Sequence, residues 1–152
     1  MTLMVRKARL QDVKNIKKLV NFYARKNEML PISLSELYDN IRSFYVFERK
    51  GRIHGCGSLR VTWDRLGEIR SVAVQKSKQK KGIGKSIVRA CLREAKEIGL
   101  KEVFVLTYQP QYFKKLGFRD TSKDHLPHKV WQDCVKCAFF PDCGEDALIR
   151  DV

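Results

Sequence analysis

Apolar residues recur at helical spacing from Asp12 to about Lys26, where Val13, Ile16, Leu19, Val20 and Tyr23 would share one side of a helix. Asp12 stands where an N-cap residue would. Ser33 and Glu36 have the spacing of a capping box, which opens a second, short helix through Leu37 and Ile41. The period then shortens to that of strands. Residues 44–49 are aromatic and β-branched, Lys50-Gly51 fits a hairpin turn, and 53–63 continue as a strand in which Gly55 and Gly57 weaken the pleat or mark a bulge. A further strand covers 68–74 and ends in the apolar Val72-Ala73-Val74. A basic loop with two glycines follows over 75–84. It runs into an amphipathic helix with Ile83, Ile87 and Cys91 in one row and Val88, Leu92 and Ala95 beside it. Gly99 is placed as the C′ residue of that helix. Residues 103–106 form a continuous apolar strand, and Pro110 starts a short helix that ends near Leu116-Gly117. Residues 4–8 supply a first strand, with 118–121 and 147–150 as last ones. The order β-α-α-β-β-β-α-β-α-β predicts an α/β (α+β) fold, a mixed sheet with helices on its faces.

The length of 152 residues fits one domain over 1–152, divided into a core of 1–121 and a cysteine-containing extension of 122–152. At 43% hydrophobic the chain can bury a core, and no apolar run reaches the ~18 residues that span a membrane. The N-terminus lacks the apolar stretch of a signal peptide, so the expectation is a cytoplasmic protein with reduced thiols and no membrane partner. The charge changes the picture more. With 31 Lys and Arg against 17 Asp and Glu, the net charge is +14, and such a surface attracts anions.

The most informative stretch is Gln79-Lys80-Lys81-Gly82-Ile83-Gly84-Lys85-Ser86, between an apolar strand and a helix. A helix start leaves N–H groups unpaired and its dipole favours negative charge. Glycines let the backbone approach a ligand, and Lys80, Lys81 and Lys85 add charge, so the stretch suits a pyrophosphate. A Walker A loop would need glycine where Gln79 stands, and a dinucleotide fingerprint would need a third glycine beside Gly82 and Gly84. Taken alone, the pattern also fits a basic helix start that merely faces water.

Gln79-x-x-Gly82-x-Gly84, directly after Ser71-Val72-Ala73-Val74, resembles motif A of the GNAT acetyltransferase superfamily, Arg/Gln-x-x-Gly-x-Gly/Ala. Tyr112-Phe113-Lys114-Lys115-Leu116-Gly117-Phe118 resembles that superfamily's motif B. The resemblance implies a mostly antiparallel sheet with helices on both faces, splayed at the Val72–Val74 strand. It implies acetyl-CoA as co-substrate, with its pyrophosphate on the backbone from Gln79 through Lys80, Lys81, Gly82, Ile83, Gly84 and Lys85 to Ser86. The pantetheine arm would lie beside Val72, Ala73 and Val74, with Phe113 also at the cofactor. One strand N–H would polarise the thioester carbonyl. No metal is implied.

Direct transfer to an amine needs a base for the ammonium proton and an acid for the departing thiolate. A glutamate of many relatives corresponds to Glu68, and strand alternation would set Glu68, Arg70, Val72 and Val74 on one face. The alternative for Glu68 is a surface ion pair with Arg70. Much of the superfamily has tyrosine where this chain has Phe113, which leaves Tyr108 and Tyr112 as candidates for the acid.

Several segments are similar to the short bacterial N-acetylglutamate synthases: Glu28-Met29-Leu30-Pro31, the 68–74 strand, Leu106-Thr107-Tyr108, Leu126-Pro127-His128-Lys129-Val130-Trp131, and the tail Asp133-Cys134-x-x-Cys137-x5-Cys143. This implies a small-molecule amino-acid acceptor, glutamate first and glutamine or another amino acid second, and the opening step of arginine biosynthesis. Arginine is usual in that group where this chain has Ile32 and Gln109, and isoleucine cannot hold a carboxylate as a guanidinium does. Arg70, Gln109 and Lys129 are therefore the expected acceptor-binding residues, with Arg60 and Arg65 in reserve. The three tail cysteines offer zinc too few thiols by themselves, and free thiols or one disulfide are the simpler expectation. A nucleic-acid partner is disfavoured because the basic loop has no interleaved aromatics. A homodimer is common among such folds. A non-catalytic acetyl-CoA-binding protein is the remaining class, suggested by Phe113.

Overall fold

The computed structural model describes residues 4–127 and 145–152. Its elements are β1 (Val5–Lys7), α1 (Val13–Ala24), α2 (Leu34–Asn40), β2 (Phe44–Arg49), β3 (Arg52–Trp63), β4 (Leu66–Val74), α3 (Ile83–Glu97), β5 (Glu102–Thr107), α4 (Pro110–Lys114), β6 (Arg119–Asp120) and β7 (Asp146–Asp151). The strands follow the hydrogen-bonding order β1-β2-β3-β4-β5-β7-β6, a mixed, mostly antiparallel sheet of the expected class. The chain forms two compact units, Met1–Leu59 with Ile69–Glu94, and Arg60–Glu68 with Ala95–Val152.

In the first unit, Val13, Ile16 and Val20 of α1 and Leu37 of α2 are fully buried with Phe44, Val46 and Cys56. Each large side chain removed from water contributes about 1.5–3 kcal/mol. The β2–β3 turn is the predicted one. Lys50 (φ +53°) and Gly51 (φ +75°) are both left-handed, the geometry that matches strand twist in a two-residue hairpin. The register slips between Phe47 and Glu48, which makes His54 the extra residue. The neighbouring glycines serve helix packing. A Cβ on Gly55 would sit 2.9 Å from Ile83 Cγ2, and one on Gly57 would sit 2.7 Å from Ile87 Cγ2, so α3 lies directly on β3.

Asp12 does not cap α1 with its side chain. A 3-10 turn, Leu10–Asp12, precedes the helix, and the carboxylate accepts the Arg9 N–H at 2.7 Å and the Arg6 guanidinium at 2.8 and 3.1 Å. Charge-assisted bonds to Arg6 outcompete a helix cap. Ser33 does cap its helix, accepting the Glu36 N–H at 3.1 Å.

In the second unit, β5 pairs along its whole length with antiparallel β7, and Phe104 and Leu126 anchor a cluster with Leu66, Leu106 and Ile149. The predicted end of α3 holds. Gly99 (φ +93°) donates to Lys96 O and Leu100 donates to Ala95 O, which is a Schellman cap. The parallel register of β4 with β5 covers Leu66–Glu68 against Glu102–Phe104 and stops short of Val72–Val74, so the sheet is open as expected.

Candidate active site

The basic loop is shaped by its backbone. Beyond Val74 the chain makes a 3-10 turn, Lys76–Lys78, then takes left-handed φ at Lys80 (+65°) and Gly82 (+82°) before α3 starts at Ile83. The Gly82 carbonyl accepts both the Ser86 N–H (3.0 Å) and the Ser86 hydroxyl (2.9 Å), which ties the first turn of α3 to the loop. The first-turn N–H groups keep no helical partner. A Cβ on Gly82 would meet nothing within 4 Å, so the space over the loop is open. Lys80, Lys81 and Lys85 are exposed around it. Free N–H groups, open space and three cations fit a pyrophosphate.

Gln79 has a second task. Its amide donates to the Tyr23 hydroxyl at 2.5 Å, and that hydroxyl donates to the Val74 carbonyl. Tyr23 was legible only as an apolar member of α1. The available signal was its hydroxyl, which needs a partner when the ring is buried. Burial pushes the Tyr23 phenol up, partly offset by the Gln79 bond. One lone pair of the Val74 carbonyl is thus already used, so Val72, Ala73 and Val74 do not present an entirely unpaired backbone.

Strict alternation does not run through β4 either, which corrects the expectation of one shared face from Glu68 to Val74. Ser71 has φ +57°, a left-handed residue inside a strand, and this breaks the pleat as a bulge does. Side chains of β3 satisfy the displaced carbonyls: Ser58 Oγ donates to Arg70 O at 3.1 Å, and Cys56 Sγ donates to Ser71 O at 3.4 Å. Burial pushes the Cys56 and Cys91 thiols up to about 12, so both are inert core thiols.

In the second unit, Glu68 is only 9% exposed, lies opposite Phe104 of β5, and is engaged by its neighbours. Tyr108 follows β5 four residues beyond Phe104, about 13 Å along a strand. It is half-buried and engaged. Gln109 is exposed, and its N–H donates to Thr107 Oγ1 at 2.8 Å. Tyr112 is 37% exposed, with its ring edge-on to Phe113 at 5.2 Å. Burial pushes its phenol up, so it carries its proton at neutral pH. Phe113 is buried edge-on to Phe118 at 5.5 Å. Gly117, between them in chain, has φ +90°, and a Cβ there would meet the Arg150 guanidinium at 2.9 Å.

Arg70, in the first unit, is half-buried and engaged. Ile32 is 5% exposed within the apolar cluster of α1 and α2. Lys129 and the tail cysteines Cys134, Cys137 and Cys143 lie outside the described residues. Among the described residues, no three His, Cys, Asp or Glu side chains form a metal-holding group.

Residues 10–118 match the family of acetyltransferases described as GNAT. The chain belongs to the acetyltransferase (GNAT) family. It is an acetyl-CoA-dependent N-acetyltransferase. It is 42% identical over 135 residues to an amino-acid acetyltransferase of Mycobacterium tuberculosis, covering 87% of this chain and 77% of the relative. It is 36% identical over 146 residues to an uncharacterised N-acetyltransferase of Chlorobaculum tepidum, covering 96% and 94%. A solved Mycobacterium tuberculosis protein in complex with CoA and NLQ superposes with a TM-score of 0.86 at 32% identity and 99% coverage of both chains. N-acetylglutamate synthase of Neisseria gonorrhoeae, complexed with CoA and N-acetyl-glutamate, gives a TM-score of 0.89 at 26% identity; the match covers 97% of this chain and 34% of that one.

Proposed function

We propose that this GNAT enzyme acetylates the α-amino group of a free amino acid, with glutamate as the first acceptor, and so serves the opening step of arginine biosynthesis. The observation that carries the amino-acid reading is the 42% identity to an amino-acid acetyltransferase across most of both chains. Acetyl-CoA supplies the activated acetyl group. The N–H groups and lysines from Lys80 to Lys85 hold its pyrophosphate, with Ser86 tying the first turn of α3 to Gly82 and Gln79 positioning the loop through Tyr23. Val72, Ala73 and Val74 orient the pantetheine arm, and one of their N–H groups draws charge from the thioester carbonyl. Phe113 walls the cofactor side from within the core.

Glu68 takes the ammonium proton and frees the amine lone pair for attack on the thioester carbon. As that C–N bond forms, the C–S bond breaks, and Tyr108 or Tyr112 gives its phenolic proton to the sulfur. The surplus proton of the new amide nitrogen passes through water to restore the phenol, while Glu68 returns its own to solvent. Arg70, Gln109 and Lys129 hold the acceptor's polar groups. A second acceptor, glutamine, is favoured by the exposed, uncharged Gln109, which does not supply the cationic fork that a side-chain carboxylate prefers.

Release of free CoA thiol from acetyl-CoA, measured against the amino acids, spermidine and a lysine peptide, tests the proposal. The expected result is glutamate-dependent release with glutamine next. Release confined to spermidine or the peptide would overturn it.

A further inference from the structure

Beside the acetyl-CoA loop lies a cavity of about 1060 Å³ built within the first unit. Six cations from three elements line it: Lys18 of α1, Arg49, Lys50 and Arg52 of the β2–β3 hairpin, and Lys78 and Lys81 of the loop. No aspartate or glutamate is among its lining residues. Among the described residues, none of the six cations forms an ion pair. Arg49 and Arg52 are direct cross-strand partners, with Lys50 in the turn between them. Like charges placed opposite each other cost a hairpin stability. Lys18, Arg49, Lys50, Arg52 and Lys81 are exposed and Lys78 is half-buried, so the six side chains rim an open cleft of one charge sign, which attracts anions.

We infer that this cavity is a second anion site, taking a polyphosphate chain that is either free or carried by a nucleotide. A single carboxylate or phosphate would leave most of the mutual repulsion in place, whereas a di- or triphosphate brings several negative charges on one short chain. Phe47, Ile53 and Ile83 give the cavity an apolar part against which a base can lie. His54 is a built-in reporter. It is 9% exposed, and burial holds its ring below the usual histidine range, assisted by the charges of Lys78 and Arg52, while a backbone hydrogen bond at Arg49 offsets the lowering by the Arg49 charge. Lys18 and Asn15 face the same space from α1. An anion reverses that field, so His54 gains a proton as the ligand binds. The site does not depend on which amine is acetylated. It shares Lys81 and Ile83 with the acetyl-CoA loop, so CoA competition is the measurement that separates the two sites.

Isothermal titration of the whole chain with inorganic tripolyphosphate, and separately with adenosine triphosphate, tests this, each with and without saturating CoA. The expected result is tripolyphosphate binding that survives saturating CoA and weakens at least about tenfold in Arg49→Ser/Arg52→Ser, with CoA affinity unchanged. Removing two opposed like charges leaves the fold at least as stable, so such a loss reports the site. Binding takes up a proton, seen as a buffer-dependent heat that disappears in His54→Gln. Equal affinity for the two probes assigns the site to free polyphosphate, and tighter adenosine triphosphate assigns it to a nucleotide. Several outcomes overturn the site: no binding; stoichiometric displacement by CoA with a matching loss of CoA affinity in the double variant; an equal loss in Lys96→Ser/Lys101→Ser, which removes the same charge outside the cavity; or a single-stranded oligonucleotide that outbinds tripolyphosphate at equal charge.

Discussion

The loop after β4 presents backbone N–H groups, whereas the segment after β5 presents side chains. From Lys80 to Lys85 the groups offered to a ligand are N–H groups, arranged by left-handed φ at Lys80 and Gly82 and by the start of α3. Lysines around them add attraction without setting direction. After β5, Tyr108, Gln109 and Tyr112 offer hydroxyl and amide groups whose identity decides what they can do. A backbone cradle recognises a charge class and tolerates changes in its side chains. A side-chain pocket recognises a particular molecule and changes its acceptor with one substitution.

Substitutions can separate the two regions. Glu68→Gln is expected to lower kcat by roughly 10²–10⁴-fold while acetyl-CoA affinity stays unchanged, measured by steady-state kinetics alongside titration calorimetry. Equal losses in both would erase the contrast. Gly82→Asp is the converse. It forces a side chain into a left-handed backbone and sets a carboxylate against the phosphates, so acetyl-CoA affinity should fall about 100-fold, with the melting temperature in the absence of ligand read as a control.

Asp12→Asn touches neither region's chemistry and gauges the scaffold, with an expected loss of about 1–3 kcal/mol at neutral pH. Burial pushes the Asp12 carboxyl up, but the Arg6 and Arg9 bonds outweigh it and hold it below its usual range. Its contribution is therefore complete above the unfolded carboxyl pKa of about 4 and is lost as pH falls through the lower folded value. Thermal melts of the two proteins should converge in that acid range. Tyr23→Phe is the mildest change. It removes the link between Gln79 and Val74 at about 0.5–1.5 kcal/mol and should weaken acetyl-CoA a few-fold with kcat kept.

Features set by one or two adjacent residues were legible in the chain. Lys50-Gly51 as a hairpin turn and Gly99 as a helix end announce left-handed backbone, which glycine adopts without steric cost, and each is left-handed in the fold. Features set by distant partners were not. Asp12 looked like a cap because nothing local reveals that Arg6 claims its carboxylate. Tyr23 meets a carbonyl 51 residues away and an amide 56 residues away. Ser71 carries no preference for positive φ, so the break in β4 had no signature. Ile32 joins the apolar cluster, so the position that most resembled an acceptor determinant belongs to the core.

The kink at Ser71 also acts as an index pin for the β3–β4 hairpin. A regular pair of strands can slide by two residues and still present the same faces, leaving a misaligned hairpin only slightly less stable. Here the carbonyls of Arg70 and Ser71 find donors only when Ser58 and Cys56 arrive opposite them. Sliding in either direction would cost both of these part-buried bonds, at about 0.5–1.5 kcal/mol each. The irregularity thus fixes the strand lengthwise before any substrate arrives. It turns alignment into a choice between one correct setting and none.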